Sequence, residues 1–110
     1  MAPSPRTPAF REIVKDSFAR QGLMRTLGAE ITELGPGRCT ITAPIRPETA
    51  QQHGFAHAGT TFALGDSACG YAALSLQEEG VEVLTSEMKI HLLAPATGAR
   101  LVARHGTLPR

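Results

Sequence analysis

Asp66 is the only charged residue between Ala58 and Gln77, in a stretch that is otherwise apolar or small (TTFALGDSACGYAALSL from Thr60 to Leu76). A carboxylate inside an apolar helix is costly unless it is paired or has a task. Two readings follow: a base in a reaction, or an acid that finds a hydrogen-bond donor across a subunit contact. Just ahead lies His57-Ala58-Gly59. Small residues at a helix start leave the first N–H groups open, and the helix dipole is positive there. Such an end can hold a carbonyl oxygen that becomes an oxyanion. Plain packing at a helix start is the alternative. Ala58 and Asp66 are separated by about 12 Å along a helix that rises about 1.5 Å per residue. One carbonyl cannot touch both in one chain. Two antiparallel copies bring Asp66 of one near the Ala58 N–H of the other. If both act in one reaction, the site lies at a two-fold interface.

The remaining reactive side chains have plainer readings. His53 and His57 precede the helix and lack an acidic third ligand nearby, so they support the loop and hold no metal. Cys69 has no evident activating base and reads as a small core residue. Cys39 and Cys69 lack metal-ligand spacing and read as reduced thiols of a cytoplasmic protein. His91 and His105 fall on strands, as surface or groove residues. Tyr71, Phe62 and Leu64 read as core and dimer packing.

The elements that must position these groups follow from periodicity. Residues 1–7 carry Pro3 and Pro5 and are expected to be loose. Thr7 and Pro8 read as N-cap and first turn of an amphipathic helix over 8–21, with Gly22 as its stop. Residues 29–34 and 38–43 alternate around Gly35-Pro36-Gly37, a hairpin. Pro44 to Gln52 reads as loop. Thr60 to Leu76 lacks a polar stripe and reads as a buried helix, ended by the polar run to Gly80. Its glycines suggest close approach of another backbone. Residues 81–93 and 99–108 read as two strands around the Pro95–Gly98 turn. This order predicts an α+β fold with an antiparallel sheet packed on one central helix.

Composition excludes several classes. Lys+Arg is 11 against Asp+Glu 10, so no basic face for nucleic acid is expected. Aromatics are scarce, with four Phe, one Tyr and no Trp, which removes stacking platforms for single strands. No apolar run is long enough for a membrane span or signal peptide. The 110 residues suit one domain, 1–110.

The stretch QQHGFAHAGTTFALGDSACGYAALS, followed by LTSEMKIHLLAPATGARLVARHG, resembles the hot-dog-fold acyl-CoA thioesterases. Within them it is most similar to the phenylacetic-acid-pathway (PaaI-like) branch. That family's pattern is an Asn, then His-Gly-Gly opening the helix, then an Asp. Here Gln51 stands at the Asn, His57 at the His, Ala58 and Gly59 at the two glycines and Asp66 at the acid. The resemblance implies an antiparallel sheet wrapped around a long central helix, and hydrolysis of an acyl-CoA, aryl or short to medium chain, without metal or cofactor. It implies Asp66 as general base or nucleophile and the Ala58 N–H, with Gly59 beside it, as oxyanion hole. Gln51 would hold the substrate carbonyl or water, and Thr85 would position the water, with Ser86 as the alternative hydroxyl. His53, Gly54, His57 and Ser86 would contact substrate. A homodimer or homotetramer is implied as the working unit. Two other activities on this scaffold stay open: a non-catalytic acyl-thioester binding protein, and an enoyl-CoA hydratase or dehydratase. Members of the family continue for two more strands, so the last strands are expected to be lacking and a strand edge to be left unpaired.

Overall fold

A computed structural model describes residues 4–106 of the chain. Helix α1 spans Phe10–Ala19 and α2 spans Gly22–Leu27. Strand β1 (Glu30–Gly35) and β2 (Arg38–Pro44) form the hairpin, and a short 3-10 turn covers Pro47–Thr49. The long helix α3 runs Ala58–Leu74, and β3 is Arg100–His105. The sheet has the order β1-β2-β3 and both pairings are antiparallel. The fold is thus α+β, with an antiparallel sheet packed on a long helix, as expected.

The hairpin forms where alternation places it. Ile31 pairs with Ile41 and Leu34 with Cys39, with a bulge between Ile31 and Glu33. Pro36 fixes its φ, and Gly37 takes φ 71°, which closes the turn without a Cβ clash. On β2, Cys39, Ile41 and Ala43 face inward at period two and are at most 1% exposed. They meet Leu64, Ala68, Tyr71 and Ala72 of α3, with Val14 of α1 and Met24 and Leu27 of α2 completing the core. Each buried large aliphatic contributes about 1.5–3 kcal/mol. Ser75, fully buried after α3, ties the two layers together. Its Oγ accepts the Gly37 N–H at 2.8 Å and donates to the Ala72 carbonyl at 2.6 Å.

Several expectations need correction. The first helix is shorter than 8–21, and its N-cap is Ala9 rather than Thr7. Of the segment 1–7, residues 1–3 lie outside the described residues. Thr7 is buried, and its carbonyl accepts the Phe10 N–H at 3.3 Å. Gly22 does not stop a helix but opens α2, because Gln21 takes an extended ψ of 106° and the chain then re-enters the helix. The left-handed stop is Gly28, at φ 68°. Helix α3 begins and ends earlier than Thr60–Leu76, and Gly80, at φ 88°, lies in a turn beyond it. A Cβ on Gly65 would meet the Met88 side chain at 3.3 Å, not a backbone, and Gly70 faces open space.

The largest correction concerns residues 81–93. They form no strand, because a strand exists only by backbone pairing and no partner meets them among the described residues. The segment instead runs antiparallel to α3 and touches it through side chains: Thr85 at Asp66, Met88 at Gly65, Leu92 near Thr61. Leu84 and Leu93 are each 93% exposed. Of the last expected strand, 99–108, residues 100–105 pair with β2, and Thr107 and Leu108 lie outside the described residues.

Candidate active site

Asp66 sits on the more open flank of α3, away from the residues that face the core. Phe62, Asp66, Cys69 and Ala73 fall on one helical face, and Phe62, Cys69 and Ala73 are exposed. Asp66 is half-buried, so the fully buried helix expected from composition is not what forms. Its Oδ1 accepts the Thr85 hydroxyl at 2.6 Å. No cation pairs with it among the described residues. Thr85 is therefore the hydroxyl that meets the acid. Ser86, exposed next to it, bonds to no part of Asp66 among the described residues.

Asp66 and Thr85 line a polar cleft of about 150 Å³ with Ser17, Gln21, Tyr71 and Glu82. Tyr71 is buried, and its hydroxyl accepts the Gln21 side-chain N–H at 2.6 Å and lies 3.1 Å from Ser17 Oγ. Phe18 packs edge-on against its ring at 6.0 Å. These contacts dock α1 and α2 beside Asp66. Sequence reasoning left Gln21 and Ser17 without a role. The available signal was the chain's single tyrosine, because a buried phenol needs a polar partner.

The helix N-terminus builds a second cleft, of about 570 Å³, lined by Gln51, His57, Ala58, Thr61, Leu92 and Pro95. His57 is the N-cap of α3. Its Nδ1 accepts the Gly59 N–H at 2.8 Å. Gly59 therefore has its N–H engaged by the cap. The Ala58 N–H has no partner among the described residues and is the donor left at this end. A Cβ on Gly59 would come within 2.9 Å of His57 Nδ1, so the cap needs glycine there.

Gln51 belongs to the turn before the helix. Its N–H donates to the Phe55 carbonyl at 2.8 Å, its side-chain oxygen accepts the His53 N–H, and its carbonyl accepts the Gly54 N–H at 3.0 Å. Gly54 takes φ 87°, which suits glycine alone. The side-chain NH₂ of Gln51 has no partner among the described residues and can donate. His53 and Gly54 are exposed and shape the turn. In one chain, then, Asp66 and Thr85 share one cleft, and Gln51, His57 and Ala58 share another.

Cys69 differs from expectation. It is exposed, not core, and its Sγ lies 3.5 Å from His105 Nδ1. Partial burial and the Asp66 charge push its thiol above the ordinary range, which disfavours a nucleophilic thiolate. Among the described residues no group of three or more His, Cys, Asp or Glu is placed to hold a metal. No described helix is long and apolar enough to cross a membrane.

Comparison with known proteins gives the family. Residues 11–108 match a family model described as a domain of unknown function, DUF4442, and the chain belongs to that family. No curated protein matches the chain. A thioesterase family protein from Silicibacter pomeroyi is 52% identical, with TM-score 0.85 over 86% of this chain and 70% of that one. The phenylacetic acid degradation protein PaaI from Thermus thermophilus is 32% identical, with TM-score 0.60 over 76% of this chain and 70% of that one. The E. coli PaaI protein shares the fold at 23% identity, with TM-score 0.76 over 86% of this chain and 67% of that one. The chain therefore belongs to the hot-dog thioesterase family, in its PaaI-like branch, and is a thioester hydrolase.

Proposed function

We propose that the chain hydrolyses the thioester of an acyl-CoA, aryl or short to medium chain, to the free acid and CoA, with Asp66 as its base. The observation that carries this reading is a lone carboxylate on the open flank of α3, held by the Thr85 hydroxyl at 2.6 Å and facing a cleft. Thr85 fixes one carboxylate oxygen, and the other takes a proton from water. The water oxygen bonds to the thioester carbon, and the C–S bond then breaks. The departing sulfur receives the proton that Asp66 accepted. In the nucleophilic variant the same oxygen bonds to the carbonyl carbon, the C–S bond breaks and the CoA thiolate takes a proton from water, and a second water hydrolyses the anhydride.

The developing oxyanion needs backbone donors, and Asp66 lies too far along α3 from the helix N-terminus of its own chain to share them. The free Ala58 N–H of a second copy meets that need, with the Gln51 side-chain NH₂ beside it. Two features support a homodimer as the working unit. The acid and the helix N-terminus lie in different clefts of one chain. Phe62, Leu84, Leu92 and Leu93 are 38–93% exposed, an apolar set that a second copy would cover. Pairing of dimers gives the tetramer. The two free cysteines support a reducing compartment such as the cytoplasm.

The test is hydrolysis of acyl-CoA followed with a thiol reagent, for the native protein and Asp66→Ala, with size measured in parallel. The variant is expected to lose turnover by about 10²–10⁴-fold while keeping its circular dichroism. Undiminished turnover overturns the mechanism. Binding of acyl-CoA by the native protein without thiol release favours a non-catalytic binding role.

A further inference from the structure

The cleft beside Asp66 has polar walls that hydrolysis alone does not require. Ser17, Gln21, Ser67, Tyr71 and Glu82 surround the Asp66–Thr85 pair, and Gly70 leaves the floor open. One N–H of the Gln21 side chain is engaged by Tyr71, and its amide oxygen, without a partner among the described residues, can accept a hydrogen bond. Glu82 adds a second carboxylate at the rim. Asp66 and Glu82 thus place two carboxylates in this lining, and no Lys or Arg lines it among the described residues. An alkyl chain would desolvate these groups without replacing their hydrogen bonds to water. A carboxylate-ended acyl group would meet two like charges.

We infer that Gln21 and Glu82 are specificity-determining residues that select short acyl groups bearing a hydrogen-bond donor, hydroxyl or amine, and reject acyl groups ending in a carboxylate. The inference rests on the thioesterase reading above and names the class of acyl group that the same site takes. Glu82 separates the two kinds of donor, because a carboxylate favours an ammonium more than a hydroxyl. Tyr71 fixes Gln21 in place, so the selecting groups come from the α1–α2 junction and the 81–93 segment rather than from the helix that carries the acid.

The experiment compares kcat/KM for butyryl-, β-hydroxybutyryl-, β-aminobutyryl- and succinyl-CoA on the native protein, Gln21→Leu and Glu82→Gln. The native protein is expected to favour the two donor-bearing substrates over butyryl-CoA by about tenfold or more, and to disfavour succinyl-CoA. Gln21→Leu should narrow the donor-to-butyryl ratio. Glu82→Gln, on an exposed segment where misfolding is not at issue, should narrow the butyryl-to-succinyl ratio by about tenfold. It should also remove any advantage of the amine over the hydroxyl. Equal kcat/KM for all four substrates, or ratios that neither variant moves, overturns the inference while leaving hydrolysis intact. If no substrate is hydrolysed, the thioesterase reading fails instead. The same ranking is then expected in calorimetric binding of the four acyl-CoAs, and equal affinities overturn the inference.

Discussion

On one flank of α3, Leu64, Ala68, Tyr71 and Ala72 are at most 5% exposed, whereas Phe62 on the opposite flank is 38% exposed, with Cys69 and Ala73 also open. Both flanks consist of small and apolar residues. The first packs against β2 and the two short helices and carries stability. The second is more open, met by the sheet only where His105 reaches Cys69, and carries the acid. The contrast teaches that an apolar helix face is not by itself a core face: what decides is which neighbour reaches it.

This division of labour can be broken in several ways. The largest expected effect is that of Asp66→Ala, about 10²–10⁴-fold in turnover with little change in melting temperature. A drop in stability comparable to that of a core truncation would erase the distinction between the flanks. Leu64→Ala should do the reverse. A cost of about 2–5 kcal/mol in denaturant unfolding is expected, with turnover per folded molecule retained. Next comes Cys39, behind the core flank, where burial pushes the thiol from 9.0 up to about 11. Its folded form holds the proton more tightly than the unfolded form. Stability is therefore full below pH about 9 and falls as pH rises through about 11, by about 2–3 kcal/mol. Unfolding measured across that window should lose this slope in Cys39→Ala. Ser75→Ala leaves the buried Gly37 N–H without its acceptor and should cost about 1–3 kcal/mol by chemical denaturation. The smallest effect belongs to the open flank. Cys69→Ala should shift stability by no more than about 0.5 kcal/mol, and a larger loss would assign that flank a packing role within the chain.

How legible all this was depends on the range of the interaction involved. The hairpin could be read directly, because alternation and the Pro-Gly turn are local. So could α3 and the acid on it, since one charge in an apolar run is conspicuous. Helix α2 was not, because Gly22 reads as a stop and only the extended Gln21 shows the chain restarting. Residues 81–93 alternate as a strand should, yet form none, because pairing is a contact with distant backbone that alternation cannot supply. The cap on the Gly59 N–H was not legible for a similar reason. That His57 would fold its ring back onto that N–H depends on side-chain rotation and not on residue type.

The sequence by itself determined the acid, the small residues at the helix start, and the distance between Ala58 and Asp66, which follows from helical rise alone. The tertiary structure decided which hydroxyl meets the acid, which N–H has no partner among the described residues, and that Gln21 and Tyr71 line one cleft with Asp66. Those facts come from contacts between residues far apart in the chain, whose geometry the packing of α1, α2 and the 81–93 segment around α3 alone fixes.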